Sequence, residues 1–144
     1  MKQGVDYIGV TVVFFCHDGK GNILLNKRSN KCRDEKGRWD CGGGAIKFGE
    51  SFEQAVRREI KEEYRTGVKK LQFLYVRNML RIDDKIKTHW IGIVFAALVD
   101  PKKVKIGVPK KIDQIGWFKL SNLPKPLHSM FLTHLEFVKK AGII

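Results

Sequence analysis

Between residues 51 and 64 apolar side chains recur at every fourth position, as Phe52, Val56, Ile60 and Tyr64. On a helix that spacing makes one narrow stripe, which is buried by docking the helix on a sheet rather than by surrounding it. Ser51 followed by Gln54 three residues later has the form of a capping box and sets where the helix starts. The rest of the chain must then supply the sheet. Segments 7–16, 23–28, 38–41, 71–80, 89–99 and 115–119 are rich in β-branched, aromatic or other apolar residues and read as strands. The cluster from His17 to Asn22 reads as a hairpin loop and Asp83-Asp84-Lys85 as a polar turn; Ser29 to Gly37 reads as an exposed loop. After Pro124 and Pro126 a second helix is expected over 129–140, with Met130, Phe131, His134, Leu135 and Val138 near one face. Strands, a helix, more strands and a last helix predict an α/β (α+β) sandwich with a mixed sheet between helices. Its 144 residues suit one domain over 1–144.

Charge narrows the function. The chain has 28 Lys+Arg against 15 Asp+Glu, a formal +13, which excludes an acidic solvating protein and favours anionic partners such as nucleotides or nucleic acid. Yet Glu50, Glu53, Glu59, Glu62 and Glu63 put a third of the acids into fourteen residues. Glu59, Glu62 and Glu63 stand at i, i+3 and i+4, on one flank of the helix, where each like-charged pair costs about 0.2–0.5 kcal/mol when exposed. Glu59 and Glu63 also lie at the edge of the apolar stripe, where partial burial raises the cost of an unpaired charge. Arg57 and Arg58 can offset part of this, and hard divalent ions can offset more. A solvated helix face is the competing reading, and spacing alone leaves the two even.

Cys16, Cys32 and Cys41 are odd in number with no CxxC pair, so reduced thiols and a cytoplasmic setting are expected. The longest apolar run, 91–99, falls well short of the ~20 residues of a membrane span, and no membrane partner is expected. Lys102-Lys103, Lys105 and Lys110-Lys111 form a basic segment able to track a phosphate backbone, without an accompanying RNA-binding aromatic motif.

Upstream of the carboxylates, Gly44-Ala45-Ile46-Lys47-Phe48-Gly49-Glu50 is followed seven residues later by Arg58-Glu59-Ile60-Lys61-Glu62-Glu63. This resembles the Nudix box, G-x5-E-x7-R-E-U-x-E-E-x-G-U with U a bulky aliphatic residue. Seven of its nine fixed positions match: Gly44, Glu50, Arg58, Glu59, Ile60, Glu62 and Glu63. Lys27-Arg28 ending an early strand, Trp39 before the glycines and Gly116-Trp117-Phe118 on a late strand agree with the family as well. The pattern departs in two places. Arg65 and Thr66 replace the late glycine and aliphatic residue, so either Arg65 takes a left-handed C-cap conformation or the helix runs on to Gly67. Gly42 stands where the family usually has proline, which implies a looser loop beside the site.

The resemblance implies Mg²⁺-dependent (with Mn²⁺ as substitute) attack of water on the pyrophosphate of a nucleoside diphosphate linked to a group X. It makes Glu50, Glu59, Glu62, Glu63 and the Gly44 carbonyl the metal ligands, Glu59 or Glu62 the base, and Arg58 the residue that orients the carboxylates. Arg28, Trp39, His89 and Asp113 are candidate substrate contacts, and Trp90 is a candidate stacking residue expected rather to serve in core packing. The ADP-ribose branch commonly carries a proline about fifteen residues past the box, and none occurs here before Pro101; a diadenosine-polyphosphate tyrosine is absent too. The default substrate is therefore a (d)NTP, cleaved to a nucleoside monophosphate and pyrophosphate. Nucleotide sugars, dinucleoside polyphosphates, an RNA 5′ end, or binding without turnover are the alternatives. A homodimer is compatible with the family, with the terminal Gly142-Ile143-Ile144 as one candidate contact.

Overall fold

A computed structural model describes residues 1–142; the side chain of Asp83 and the Ile143-Ile144 end offered above to an interface lie outside the described residues. Seven strands form one mixed sheet: β1 (Gly9–His17), β2 (Asn22–Arg28), β3 (Trp39–Asp40), β4 (Gly42–Ala45), β5 (Lys70–Asp83), β6 (Ile86–Leu98) and β7 (Ile112–Lys119). Helix α1 (Phe52–Tyr64) follows β4, and α2 (Phe131–Ala141) follows β7. The main path runs β3-β2-β1-β6-β5, with β4 on β1 and β7 on β2. β1 and β6 run parallel; the other pairs are antiparallel.

Alternation along β1 separates two cores. Val12, Phe14 and Cys16 join Ile93, Phe95 and Ala97 of β6 beneath Ala55, Val56, Ile60 and Tyr64 of α1. Val13 and Phe15 join Ile23, Leu25 and Val94 on the opposite face, beneath Phe131, Leu135 and Val138 of α2. The expected sandwich is present, one helix on each face.

Three local features differ from the sequence reading or decide between its options. The helix ends at Tyr64: Arg65 adopts φ 58° and ψ 30°, and its N–H donates to the Lys61 carbonyl. Arg65 thus carries the left-handed cost that glycine would avoid. Replacing it by Gly should stabilise the chain by about 1 kcal/mol, seen as a higher urea midpoint at unchanged slope. Second, the glycines form a strand rather than a loose loop, with Val12↔Gly44, Val13↔Gly43 and Phe14↔Gly42 in register. Gly42 is therefore held in the sheet, and a Cβ there would run into the ring of buried Phe14. Third, the 29–37 segment is anchored: Ser29 and Cys32 are buried, the Ser29 N–H donates to the Lys111 carbonyl at 2.9 Å, and Cys32 Sγ donates to the same oxygen at 3.2 Å.

The sheet also splits. β1 and β2 meet only at their hairpin end, in the register His17↔Ile23. Beyond it β1 takes β4 as partner, while β2 takes β3 and β7. A cleft of about 650 Å³ opens there, between Thr11 and Val13 of β1 and Asn26 and Arg28 of β2.

Candidate active site

The chain crosses the split at Cys41, between β3 on one strand and β4 on the other. Its carbonyl accepts from the Asn26 side-chain amide and, at 3.2 Å, from the Tyr64 hydroxyl; Asn26 Nδ2 lies 2.8 Å from that hydroxyl as well. A strand, the crossover and the last turn of α1 are thereby pinned together. Asn26 was not singled out by sequence reasoning, although one amide interrupting the apolar run Ile23-Leu24-Leu25 was a usable signal.

Once β4 is fixed, α1 lies across it. The capping box forms as expected: Ser51 Oγ accepts from the Gln54 N–H at 3.1 Å, and Gln54 Oε1 accepts from the Ser51 N–H at 2.8 Å. Arg58 then gathers the acids. Its Nε donates to Glu50 Oε2 at 2.6 Å and its Nη2 to Glu50 Oε1 at 2.9 Å. Its Nη1 reaches Glu59 Oε1 at 2.7 Å and Glu62 Oε2 at 3.4 Å, and Nη2 also reaches the Ala45 carbonyl at 3.1 Å. A Cβ on Gly44 would overlap the Glu59 carboxyl, so glycine is what lets that carboxylate lie against β4. The Gly44 carbonyl accepts from Thr11 Oγ1 at 2.9 Å.

The carboxylates differ in their electrostatics. Arg58, helped by the Lys47 N–H, holds Glu50 down to about 2. Burial pushes Glu59 up, and Arg58 opposes that push. Glu62 is half exposed. Glu63 is pushed well above the ordinary carboxylate value by burial, with repulsion from Glu59 and Asp40 added. Its Oε2 is closed off from solvent and lacks a hydrogen-bond partner among the described residues. One guanidinium cannot balance four carboxylates; Arg58 meets three of them, and the fourth, Glu63, keeps its Oε2 buried and unpaired.

That donor set suits a hard divalent cation: all oxygen, excess negative charge, and one carboxylate oxygen without a partner. As they stand, the acids are spread around Arg58, and no three His, Cys, Asp or Glu side chains among the described residues close around one point.

A NUDIX domain family model matches residues 7–140. The chain belongs to the NUDIX family. It is 40% identical over 107 residues to an ADP-ribose pyrophosphatase of Methanocaldococcus jannaschii, covering 72% of this chain and 57% of that protein. Against the 8-oxo-dGDP phosphatase NUDT18 of Mus musculus it is 26% identical over 94% of its own length and 39% of the relative's. The chain thus spans only about half of these relatives. Among solved structures, a MutT NUDIX hydrolase from Burkholderia pseudomallei superposes with a TM-score of 0.81 at 30% identity, covering 92% of this chain and 99% of that one. The NUDIX domain of Shewanella oneidensis NrtR, complexed with ADP ribose, shares the fold at a TM-score of 0.73 and 22% identity, covering 98% and 90%.

Within this NUDIX fold the expected substrate contacts are dispersed. Arg28 lines the cleft, its Nη2 donating to Asp34 Oδ1 at 2.9 Å. Trp39 packs edge-on against Phe118 with ring centroids 5.2 Å apart. His89 Nε2 lies 3.0 Å from Asn78 Oδ1, and Asp113 is exposed on β7; neither lines the cleft. Trp90 does, together with Met79. The basic segment has an unforeseen place. After a 3-10 turn at Pro101–Lys103, the Lys105 N–H donates to the Tyr64 carbonyl at 3.0 Å and the Gly107 N–H to the Glu63 carbonyl at 2.7 Å. These bonds satisfy carbonyls that the end of a helix leaves without partners. Gly107, between Ile106 and Val108, was the legible hint of a close approach.

Proposed function

We propose that this chain hydrolyses the phosphoric anhydride bond of a nucleoside diphosphate linked to a group X, with Mg²⁺ as cofactor and Mn²⁺ as substitute. The observation that carries this reading is the set of three carboxylates drawn around Arg58, with a fourth, Glu63, beside them whose Oε2 is buried without a partner, at the edge of a cleft about 650 Å³ in volume.

In this reading Glu50, Glu59, Glu62, Glu63 and the Gly44 carbonyl hold the ion or ions. Bound there, a divalent ion neutralises phosphate charge and makes water more acidic. Arg58 keeps the carboxylates in array through the contacts described. Glu59 or Glu62 takes the proton as water adds to phosphorus, and the P–O–P bridge breaks to give a nucleoside monophosphate and X-phosphate. Arg28 contributes positive charge from the cleft wall. Trp39, His89 and Asp113 do not line that cleft, and this reading assigns them no role.

The (d)NTP expectation gives way to X as a sugar or second nucleoside. The missing proline argued against the ADP-ribose branch, but a 40%-identical relative is named for ADP-ribose, and the cleft extends well past Glu63 to Met79 and Trp90. Activity should be assayed with ADP-ribose, nucleotide sugars, dinucleoside polyphosphates and (d)NTPs in Mg²⁺. Glu59→Gln and Glu62→Gln are each expected to lower kcat by at least about a hundredfold with near-native circular dichroism. Full activity in both variants would refute the site.

A further inference from the structure

The cleft wall opposite the glycine strand carries a charge pattern that pyrophosphate hydrolysis alone does not use. The acids of residues 29–38 are already paired with arginines. Asp34 is bound by Arg28 at 2.9 Å and by Arg81 at 3.6 Å. Glu35 is met by Arg38 at 3.2 Å and by Arg81 at 3.5 Å, and it accepts from the Ser129 N–H and hydroxyl. Lys31 and Arg33, on the same loop, line the cleft, are exposed, and make no ion pair within 4 Å among the described residues.

Lys111 also lines the cleft without an ion pair among the described residues. Its backbone carbonyl is the one held by the Ser29 N–H and Cys32 Sγ, so its segment and the loop are fastened to each other. Unpaired lysines are ordinary on a +13 chain. These three cations differ in that they share a cleft on two fastened segments, and the acids of the loop that carries Lys31 and Arg33 are already paired. Binding an anion there breaks no existing ion pair and needs little loop ordering.

We propose that the cleft takes a nucleoside diphosphate whose group X bears a further phosphate, held by Lys31 and Arg33 together with Lys111. This rests on the hydrolase reading above and narrows it: X is a phosphorylated sugar or the remainder of a longer polyphosphate chain, not a neutral sugar. Lys111 serves the end nearer the carboxylates, where it lines the cleft together with Glu63. Lys31 and Arg33 serve the distal phosphate.

The test compares matched ligands, ADP-ribose with ADP-ribose 1″-phosphate and diadenosine diphosphate with diadenosine tetraphosphate. Kd is read by calorimetry in Ca²⁺ and kcat/KM in Mg²⁺. The wild-type chain should favour the more anionic member of each pair by about tenfold or more, as expected for one added charge-assisted contact. Lys31→Ala with Arg33→Ala should erase that preference while changing ADP-ribose binding less than about twofold. Lys102→Ala with Lys103→Ala, which removes equal charge from the exposed 3-10 turn, should leave the preference in place. Equal wild-type affinity within each pair, or a preference that survives loss of Lys31 and Arg33 but falls with Lys102 and Lys103, overturns the proposal. Absence of turnover with every ligand would refute the hydrolase reading separately, and the Kd ratios would still decide the phosphate site.

Discussion

Glu63→Gln should make the metal-free chain more stable while lowering Mg²⁺-dependent turnover by about a thousandfold or more, equivalent to ~4 kcal/mol of transition-state stabilisation. Both effects come from one atom, the enclosed and unpartnered Oε2. A buried unsatisfied group costs about 1–3 kcal/mol, more when charged, and the neutral amide removes the charge. The pH dependence has a definite sign. Burial raises the Glu63 pKa in the folded chain. Above the ordinary value near ~4.3 the unfolded chain has released this proton and the folded chain has kept it, so Glu63 makes stability fall as pH rises, by up to about 1.4 kcal/mol per pH unit. The fall ends when pH passes the raised folded value. Glu59, also raised, adds in the same direction. Urea unfolding in a chelator between pH 5 and pH 9 should show that slope in the wild type and a shallower one in Glu63→Gln. Equal slopes would remove Glu63 as the source. A variant that keeps full activity would remove it from the metal site.

The second large effect concerns a residue with no chemistry of its own. Gly107→Ala should destabilise the fold by about 2–3 kcal/mol, lowering Tm by several degrees, and should reduce activity as well. A Cβ at Gly107 would overlap the backbone carbonyl oxygen of Glu62, with the carbons of that peptide and the next close by. Backbone cannot swing aside as a side-chain tip can, so either the segment lifts off α1 or the last turn carrying Glu62 and Glu63 moves. Gly67→Ala is the matched control: nothing lies within 4 Å of its Cβ, and its φ is not in the left-handed range. Thermal melts of the two variants should therefore diverge, and near-identical Tm values would refute the capping role of the 105–107 segment.

These cases also show what a linear reading can reach. Ser51, Gln54 and the stripe through Tyr64 located α1 because capping and periodicity are local. The box residues were legible for the same reason, since their spacing along one helix and the preceding turn decides which side chains Arg58 can reach. The hairpin between β5 and β6 was visible at Asp83-Asp84-Lys85, although the strands run further into it than expected, to Asp83 and from Ile86. Asp84 and Lys85 both take positive φ, 49° and 67°, which makes a tight two-residue turn. Non-local facts stayed hidden. Gly42-Gly43-Gly44 has little intrinsic strand preference and becomes β4 only because β1 offers a partner. Trp39, His89 and Asp113 carry plausible side chains, but which face of the split sheet receives them depends on strand order, to which their neighbours in sequence are blind. Loop 29–37 looked solvated because its charges are many, whereas its two acids, Asp34 and Glu35, are met by Arg28, Arg38 and Arg81 from outside the loop.

The parallel pairing of β1 with β6, from Gly9↔Trp90 to His17↔Leu98, has a consequence for how this chain is made. At ribosomal rates of ~5–20 residues per second, β1 waits roughly 4–16 s for its partner to be synthesised. Throughout that interval Val12, Phe14 and Phe15 lack the strand that flanks them in the finished sheet, and the stripe of α1 lacks Ile93, Phe95 and Ala97. The carboxylate helix is complete well before the β6 half of its floor exists. Assembly of the site is therefore a late event in biogenesis, completed only once β6 has been made.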